Sequence, residues 1–257
     1  MESPQLEKLH QHLSRLKLYG INDGLETLLQ DASKQELSYA DFMERLLDLE
    51  VSIKNEKQIS MHTSLARFPF IKTMEAFDFD FQPSVDRKKM LELAGCVFIE
   101  RAENVIFLGP PGTGKTHLAV ALGMKAIQRG YRTLFVSAAS VVVALTKAYA
   151  ENRLEEKLKA FTIPKLLIID EIGYVPVDTH GAHLLFQLIS RRYEKGSIVL
   201  TSNRGFSQWG EIFGDSIIAT AILDRLLHHS MVINIKGESY RLKEKLKAGL
   251  IPKTGDE

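Results

Sequence analysis

The octapeptide Gly109-Pro110-Pro111-Gly112-Thr113-Gly114-Lys115-Thr116 constrains this 257-residue chain more than any other stretch. It matches G-x-x-x-x-G-K-[ST], follows the apolar run Asn104–Leu108 and opens an amphipathic segment from Lys115 to Arg129. Glycines at these positions let backbone N–H groups close around phosphates, and the positive end of the following helix dipole adds to the cradle. A strand feeding a loop and then a helix calls for a parallel sheet behind it. The expected ligand is ATP with magnesium: Lys115 reaches the β- and γ-phosphates, and the Thr116 hydroxyl ligates Mg2+. An accidental glycine-rich turn would not bring strand and helix into register on either side.

Two later apolar runs end in the polar groups such chemistry needs. Leu166-Leu167-Ile168-Ile169 runs into Asp170 and Glu171. Asp170 is the expected partner of Thr116 at the metal, and Glu171 the group that polarises the attacking water. Ile198–Ser202 runs into Asn203, whose amide is suited to orient that water and touch the γ-phosphate. Phosphoryl transfer also gains from a cation on the developing charge. Arg225 and Arg241 are candidates, with Arg191, Arg192 and Arg204 behind them; for a single arginine a surface position is the default.

The remaining pattern organises the chain into three expected segments. Residues 1–67 read as an acidic helical domain: Leu6, Leu9, Leu13 and Leu16 fall near helical spacing, and Ser38 with Asp41 forms a capping-box-like start to a segment bearing Phe42, Leu46, Leu49 and Ile53. Its surplus of carboxylates suits a protein partner better than phosphates. Residues 68–83, FPFIKTMEAFDFDFQP, are an irregular aromatic linker. Residues 84–257 alternate strands (Asn104–Leu108, Thr133–Ser137, Leu166–Asp170, Ile198–Ser202, Val232–Ile235) with helices such as His183–Glu194, which implies a parallel sheet covered on both faces. The net charge of +1 gives no global attraction for nucleic acid, so any DNA surface must be a local patch. The single cysteine, Cys96, excludes an internal disulfide and reads as a small buried hydrophobe. No apolar run approaches the roughly 18 residues of a membrane span, and the start MESPQLEKLH has no signal-peptide core, so a cytoplasmic setting is expected. Adjacent His228 and His229 would point to different sides of a helix and make a poor metal pair. Trp209 is expected to pack at a helix start.

The order of these motifs, with Phe68-Pro69-Phe70, Phe77-Asp78-Phe79, Arg192-Tyr193-Glu194, Thr201-Ser202-Asn203, Asp224-Arg225-Leu226 and Gly237-Glu238-Ser239-Tyr240-Arg241, resembles the IstB family of AAA+ ATPases, helpers of insertion-sequence transposases. The resemblance implies an α/β AAA+ P-loop fold with a five-stranded parallel sheet flanked by helices, preceded by a small all-α N-terminal domain. It implies ATP hydrolysis, ATP-dependent self-assembly into a homo-oligomer, duplex DNA as ligand and a transposase as partner. Arg225 matches the arginine finger that completes a neighbour's site, and Arg241 the sensor-2 arginine. Only 22 residues follow Ile235, too few for a full lid domain, so Arg241 must act without that scaffold. By likeness to initiator and loader ATPases, the helical insertion Ser140–Phe161 is a candidate DNA surface through Lys147, Tyr149, Arg153, Lys157 and Lys159, although glutamates dilute its charge. The basic tail Lys236–Lys253 is a second candidate. The nearest rival function is a replicative helicase loader of the DnaC kind. A small-molecule kinase is disfavoured by Glu171 and Asn203, which suit water activation, and a non-catalytic switch by Glu171.

Overall fold

The computed structural model describes residues 4–174 and 176–247. They divide into two compact units, residues 1–61 and 62–257. The first is helical, with α1 (Pro4–Arg15), α2 (Tyr19–Gln35) and α3 (Tyr39–Ala66), the last of which runs on into the second unit. Ile21, Leu25 and Leu46 form its buried centre, with Leu6, Leu13, Leu28 and Phe42 packed around them. Ser38 Oγ accepts the Asp41 N–H at 3.2 Å and donates to the Asp41 carboxylate at 2.7 Å, which fixes the start of α3. Glu50, 4% exposed, accepts the Ile21 N–H at 3.0 Å and so serves one of the unpaired donors at the start of α2. Close approach of α2 to α3 requires Gly20, because a Cβ there would lie 2.8 Å from Ile53 Cδ1.

The second unit continues with α4 (Arg87–Ala94), α5 (Val97–Glu100), β1 (Asn104–Leu108), α6 (Lys115–Gln128), β2 (Thr133–Ser137), α7 (Ala138–Ala150), α8 (Leu154–Thr162) and β3 (Leu166–Ile172). It ends with α9 (Thr179–Arg192), β4 (Ser197–Ser202), α10 (Trp209–Phe213), α11 (Ser216–Leu227), β5 (Ser230–Asn234) and α12 (Tyr240–Lys247). The five strands form one parallel sheet in the order β2-β3-β4-β1-β5. Alternate side chains supply two separate cores. Ile106, Leu167, Ile169 and Leu200 face α7, α9 and α11, whereas Phe107, Leu166, Ile168 and Val199 face α6 and the segment before β1. Burial on both faces is why the strands read as unbroken apolar runs.

Local signals explain most helix starts. Asp86, Asp178 and Asp215 accept backbone N–H groups at the starts of α4, α9 and α11, and Ser137 does so for α7. Trp209 is fully buried between Phe206 and Phe213 at the start of α10. Cys96 is fully buried as well, and burial pushes its thiol up to about 11. Arg192 is a structural residue: its guanidinium, 2% exposed, donates to the carbonyls of Phe161, Pro164, Lys165 and Ser197. The last strand starts and stops earlier than its apolar run suggests, because pairing with β1 sets Asn104 opposite Ser230. His228 and His229 do not diverge as expected. The helix ends at Leu227, and in the turn that follows the two rings lie 3.9 Å apart. Among the described residues no helix is long and apolar enough to cross a membrane.

Candidate functional site

The carboxyl ends of β1, β3 and β4 lie side by side, the edge of a parallel sheet at which ligands bind. A cavity of about 320 Å³ opens there. It is lined by Pro111 to His117 and by Glu171, Thr201, Asn203 and Arg241, so the loop and three of the candidate groups share one space. Gly109, Gly112 and Gly114 have φ of 151°, 79° and 94°, a region that L side chains rarely adopt. Space forbids substitution too. A Cβ on Gly109 would lie 2.2 Å from Ile235 O, and one on Gly114 would lie 2.6 Å from the Phe77 ring. The Lys115 ammonium donates to the loop carbonyls of Gly109 and Pro110 at 2.7 Å each.

At the floor, Thr116 Oγ1 donates to the Asp170 carboxylate, with 3.0 Å to Oδ1 and 3.2 Å to Oδ2. Thr201 Oγ1 donates to Asp170 Oδ1 at 2.6 Å and accepts the Glu171 N–H at 2.9 Å. Burial raises the Asp170 carboxyl above its ordinary range, while these hydroxyls and the Lys115 charge pull the other way. Lys115 is lowered, first by burial; the Asp170 charge opposes that and the Arg241 charge adds to it. Hydroxyl and carboxylate oxygens side by side are the hard donors that magnesium takes, so Thr116 and Asp170 fit that ion.

Glu171 is exposed and sits at φ 63°, a strained setting for a non-glycine residue that costs about 1–3 kcal/mol. Its cause is a bulge. Between Ile169 and Ile172 the β3–β4 register slips, so three steps on β3 oppose two on β4. Thr201 stitches the bulge in place. Asn203 Oδ1 is buried and finds no hydrogen-bond partner among the described residues, an unmet acceptor on the cavity wall.

Arg241 reaches the cavity from α12, which is fastened to the loop. Tyr240 N–H donates to Gly112 O at 3.0 Å, and a Cβ on Gly112 would lie 2.0 Å from Ser239 Oγ. These contacts tie the start of α12 to the loop. Arg225 lies elsewhere, in a shallow recess with Tyr193 and His229. Its guanidinium stands 4.5 Å over the Phe186 ring and donates to Ala221 O at 3.2 Å. It does not line the cavity of its own chain.

Several lining residues escape sequence reasoning. Phe70, Lys72, Phe77, Asp78 and Gln82 make the linker one wall of the cavity. It is pinned there by His117 against Thr73 O at 2.8 Å and by Lys125 paired with Glu75 at 2.9 Å, which lowers the Glu75 carboxyl to about 2. The density of aromatics in the linker was the available signal. Of the candidate DNA residues, Lys147, Arg153 and Lys157 line one groove of the α7–α8 hairpin, which Glu151 and Glu156 share, so it is not a bare basic patch. Lys147 pairs with Glu151 at 3.8 Å and Arg153 with Glu156 at 3.0 Å. Lys157 stands 5.2 Å over the Phe161 ring, Tyr149 meets the His180 ring edge-on, and Lys159 is exposed. The tail Lys236–Lys253 extends past the described residues.

Residues 11–248 match the family model described as IstB-like ATP binding protein. An insertion sequence IS21 ATP-binding protein of Pseudomonas aeruginosa is 53% identical over 96% of this chain and 94% of its own length. An insertion sequence IS5376 ATP-binding protein of Geobacillus stearothermophilus is 50% identical over 93% of this chain and 95% of its own. Among solved structures, AMPPCP-bound DnaA from Aquifex aeolicus superposes with a TM-score of 0.56 at 21% identity, over 73% of this chain and 58% of that one. DnaI gives 0.53 at 19% identity, over 68% and 92%. At such identities the likeness concerns the fold alone, which this chain shares with DnaA and DnaI.

Proposed function

This chain belongs to the IstB-like ATP-binding protein family, and from that premise we propose that it hydrolyses ATP with magnesium in the cytoplasm, assembles as a homo-oligomer on duplex DNA, and helps an insertion-sequence transposase. The observation that carries hydrolysis is the hydrogen-bonded set Thr116–Asp170–Thr201, with Glu171 and the unmet Asn203 acceptor beside it. Lys115 leaves the loop carbonyls for the β- and γ-phosphates. Thr116 and Asp170 hold the magnesium, which when bound supplies positive charge against the phosphate oxygens. Glu171 polarises the attacking water and Asn203 orients it. Arg241 faces the same space from α12, and Arg225 serves a neighbouring subunit. Relatives at 53% and 50% identity named for insertion sequences favour a transposase partner over a replicative helicase.

The test is phosphate release by the full chain with magnesium, duplex DNA and the transposase encoded beside it. Lys115→Ala should lose roughly tenfold to a hundredfold in nucleotide affinity, the worth of hydrogen bonds from a charged group. Glu171→Gln should keep nucleotide and stay on DNA while turnover falls about 10²–10⁴-fold. Near-normal turnover in Glu171→Gln would remove that residue from the chemistry. Capture of a replicative helicase in place of the transposase would make the chain a loader.

A further inference from the structure

Away from the nucleotide cavity, the turn after α9 meets the end of α11 and brings three metal-ligating side chains together. We propose that Glu194, His228 and His229 form a binding site for a transition-metal ion of the zinc class. One donor atom from each lies within 4.8 Å of the others. His229 Nε2 stands 3.6 Å from Glu194 Oε1, and His228 Nδ1 stands 4.0 Å from the same oxygen. Ligands bound tetrahedrally at Zn–N and Zn–O lengths lie about 3.3–3.5 Å apart, so the His229–Glu194 pair is nearly at that spacing and the other donors close by up to about 1.5 Å through side-chain rotation. Two imidazoles with one carboxylate suit zinc, nickel or copper, not the oxygen-seeking magnesium of the nucleotide site.

Both ligand-bearing segments are held from below. Glu194 sits at φ 57° in a turn closed by the N–H groups of Lys195 and Gly196 on Arg192 O, and the buried Arg192 guanidinium anchors the surrounding carbonyls. On the other side, His228 N–H donates to Asp224 O and Ser230 begins β5. The donors are about half exposed, which leaves a path for the ion and room for water at the open position. The Tyr193 hydroxyl and His228 Nδ1 share a hydrogen bond of 2.6 Å. A metal on that nitrogen displaces this bond, so the tyrosine is a competitor and not a fourth ligand. The bound ion would tie the Glu194 turn to the helix end that carries Arg225, which shares the recess with Glu194 and His229.

The site is tested by titrating the full chain with Zn2+, with excess Mg2+ present to occupy the nucleotide site, by calorimetry and by the visible spectrum of Co2+ in place of Zn2+. One equivalent should bind, with the intense visible bands of tetrahedral Co2+. Glu194→Gln, His228→Gln and His229→Gln should each weaken binding tenfold or more, while Tyr193→Phe should leave it equal or tighter. Circular dichroism of each variant checks that these exposed positions leave the fold intact. Binding that none of the three substitutions weakens, or no stoichiometric binding at all, overturns the site. A loss in Tyr193→Phe as large as in the histidine variants overturns the three-ligand assignment.

Discussion

At Thr201 a single buried hydroxyl accepts the N–H of Glu171 and donates to Asp170, so the bulged end of β3 is held from β4. Thr201→Val keeps the shape and removes both bonds. Turnover should fall roughly tenfold to a hundredfold with KM little changed, and Thr201→Ser should restore most of it, read by steady-state phosphate release. An equal loss in Thr201→Ser would assign the effect to packing. The charges beneath the loop carry a different cost. The folded pKa of Asp170 is raised, so the penalty for its charge is present above that pKa and vanishes as pH falls through it; that of Lys115 is lowered, so its penalty vanishes as pH rises through the folded value. Wherever both groups are charged, the protein bears both penalties. Asp170→Asn should therefore melt no lower than wild type without nucleotide, yet lose the extra stability that Mg-ATP confers, as measured by thermal unfolding. A clearly lower melting point without nucleotide would mean that the hydrogen bonds of Asp170 outweigh its burial.

Helix α12 meets the loop at its start, where Tyr240 N–H donates to Gly112 O and Ser239, the residue before the helix, lies against Gly112. Proline is tolerated at a first helical position, so Tyr240→Pro deletes the donor while the helix can still form. It should weaken ATP binding about three- to tenfold beyond Tyr240→Ala, as seen in a nucleotide titration. Equal affinities would mean that the helix is held by side chains alone. At this scale the sequence was legible at some local signals and missed at others: the Asp178 cap starts α9 at Thr179, four residues before the expected His183. The strand–loop–helix around Gly109 and the apolar runs of β1 and β2 could be read residue by residue. What could not be read depends on partners far away in the chain. The linker becomes a cavity wall because Phe77 packs on Gly114, and no local pattern carries that. The left-handed Glu171 follows from a register slip against β4, and the convergence of His228 and His229 from where α11 ends.

For the molecule as a whole, the position of Arg225 sets the expected behaviour. It is outside the cavity of its own chain and engaged with Phe186, so its proposed role as a finger requires a second subunit. Arg225→Ala should bind ATP almost normally and hydrolyse it poorly. Mixed with Glu171→Gln subunits, each inactive alone, it should regain measurable phosphate release, because some interfaces then join an intact Glu171 to an intact Arg225. Normal turnover in Arg225→Ala would overturn the finger. The assembly of the site within one chain has a temporal side as well. Gly109 and Gly112 rest on Ile235, Ser239 and Tyr240, and Leu108 O accepts the Ile235 N–H at 2.7 Å. During synthesis the loop emerges more than a hundred residues before the segment that shapes it. A nascent chain on the ribosome thus carries the motif without its support, and competence to hold nucleotide comes late, when β5 docks and α12 closes over the glycines.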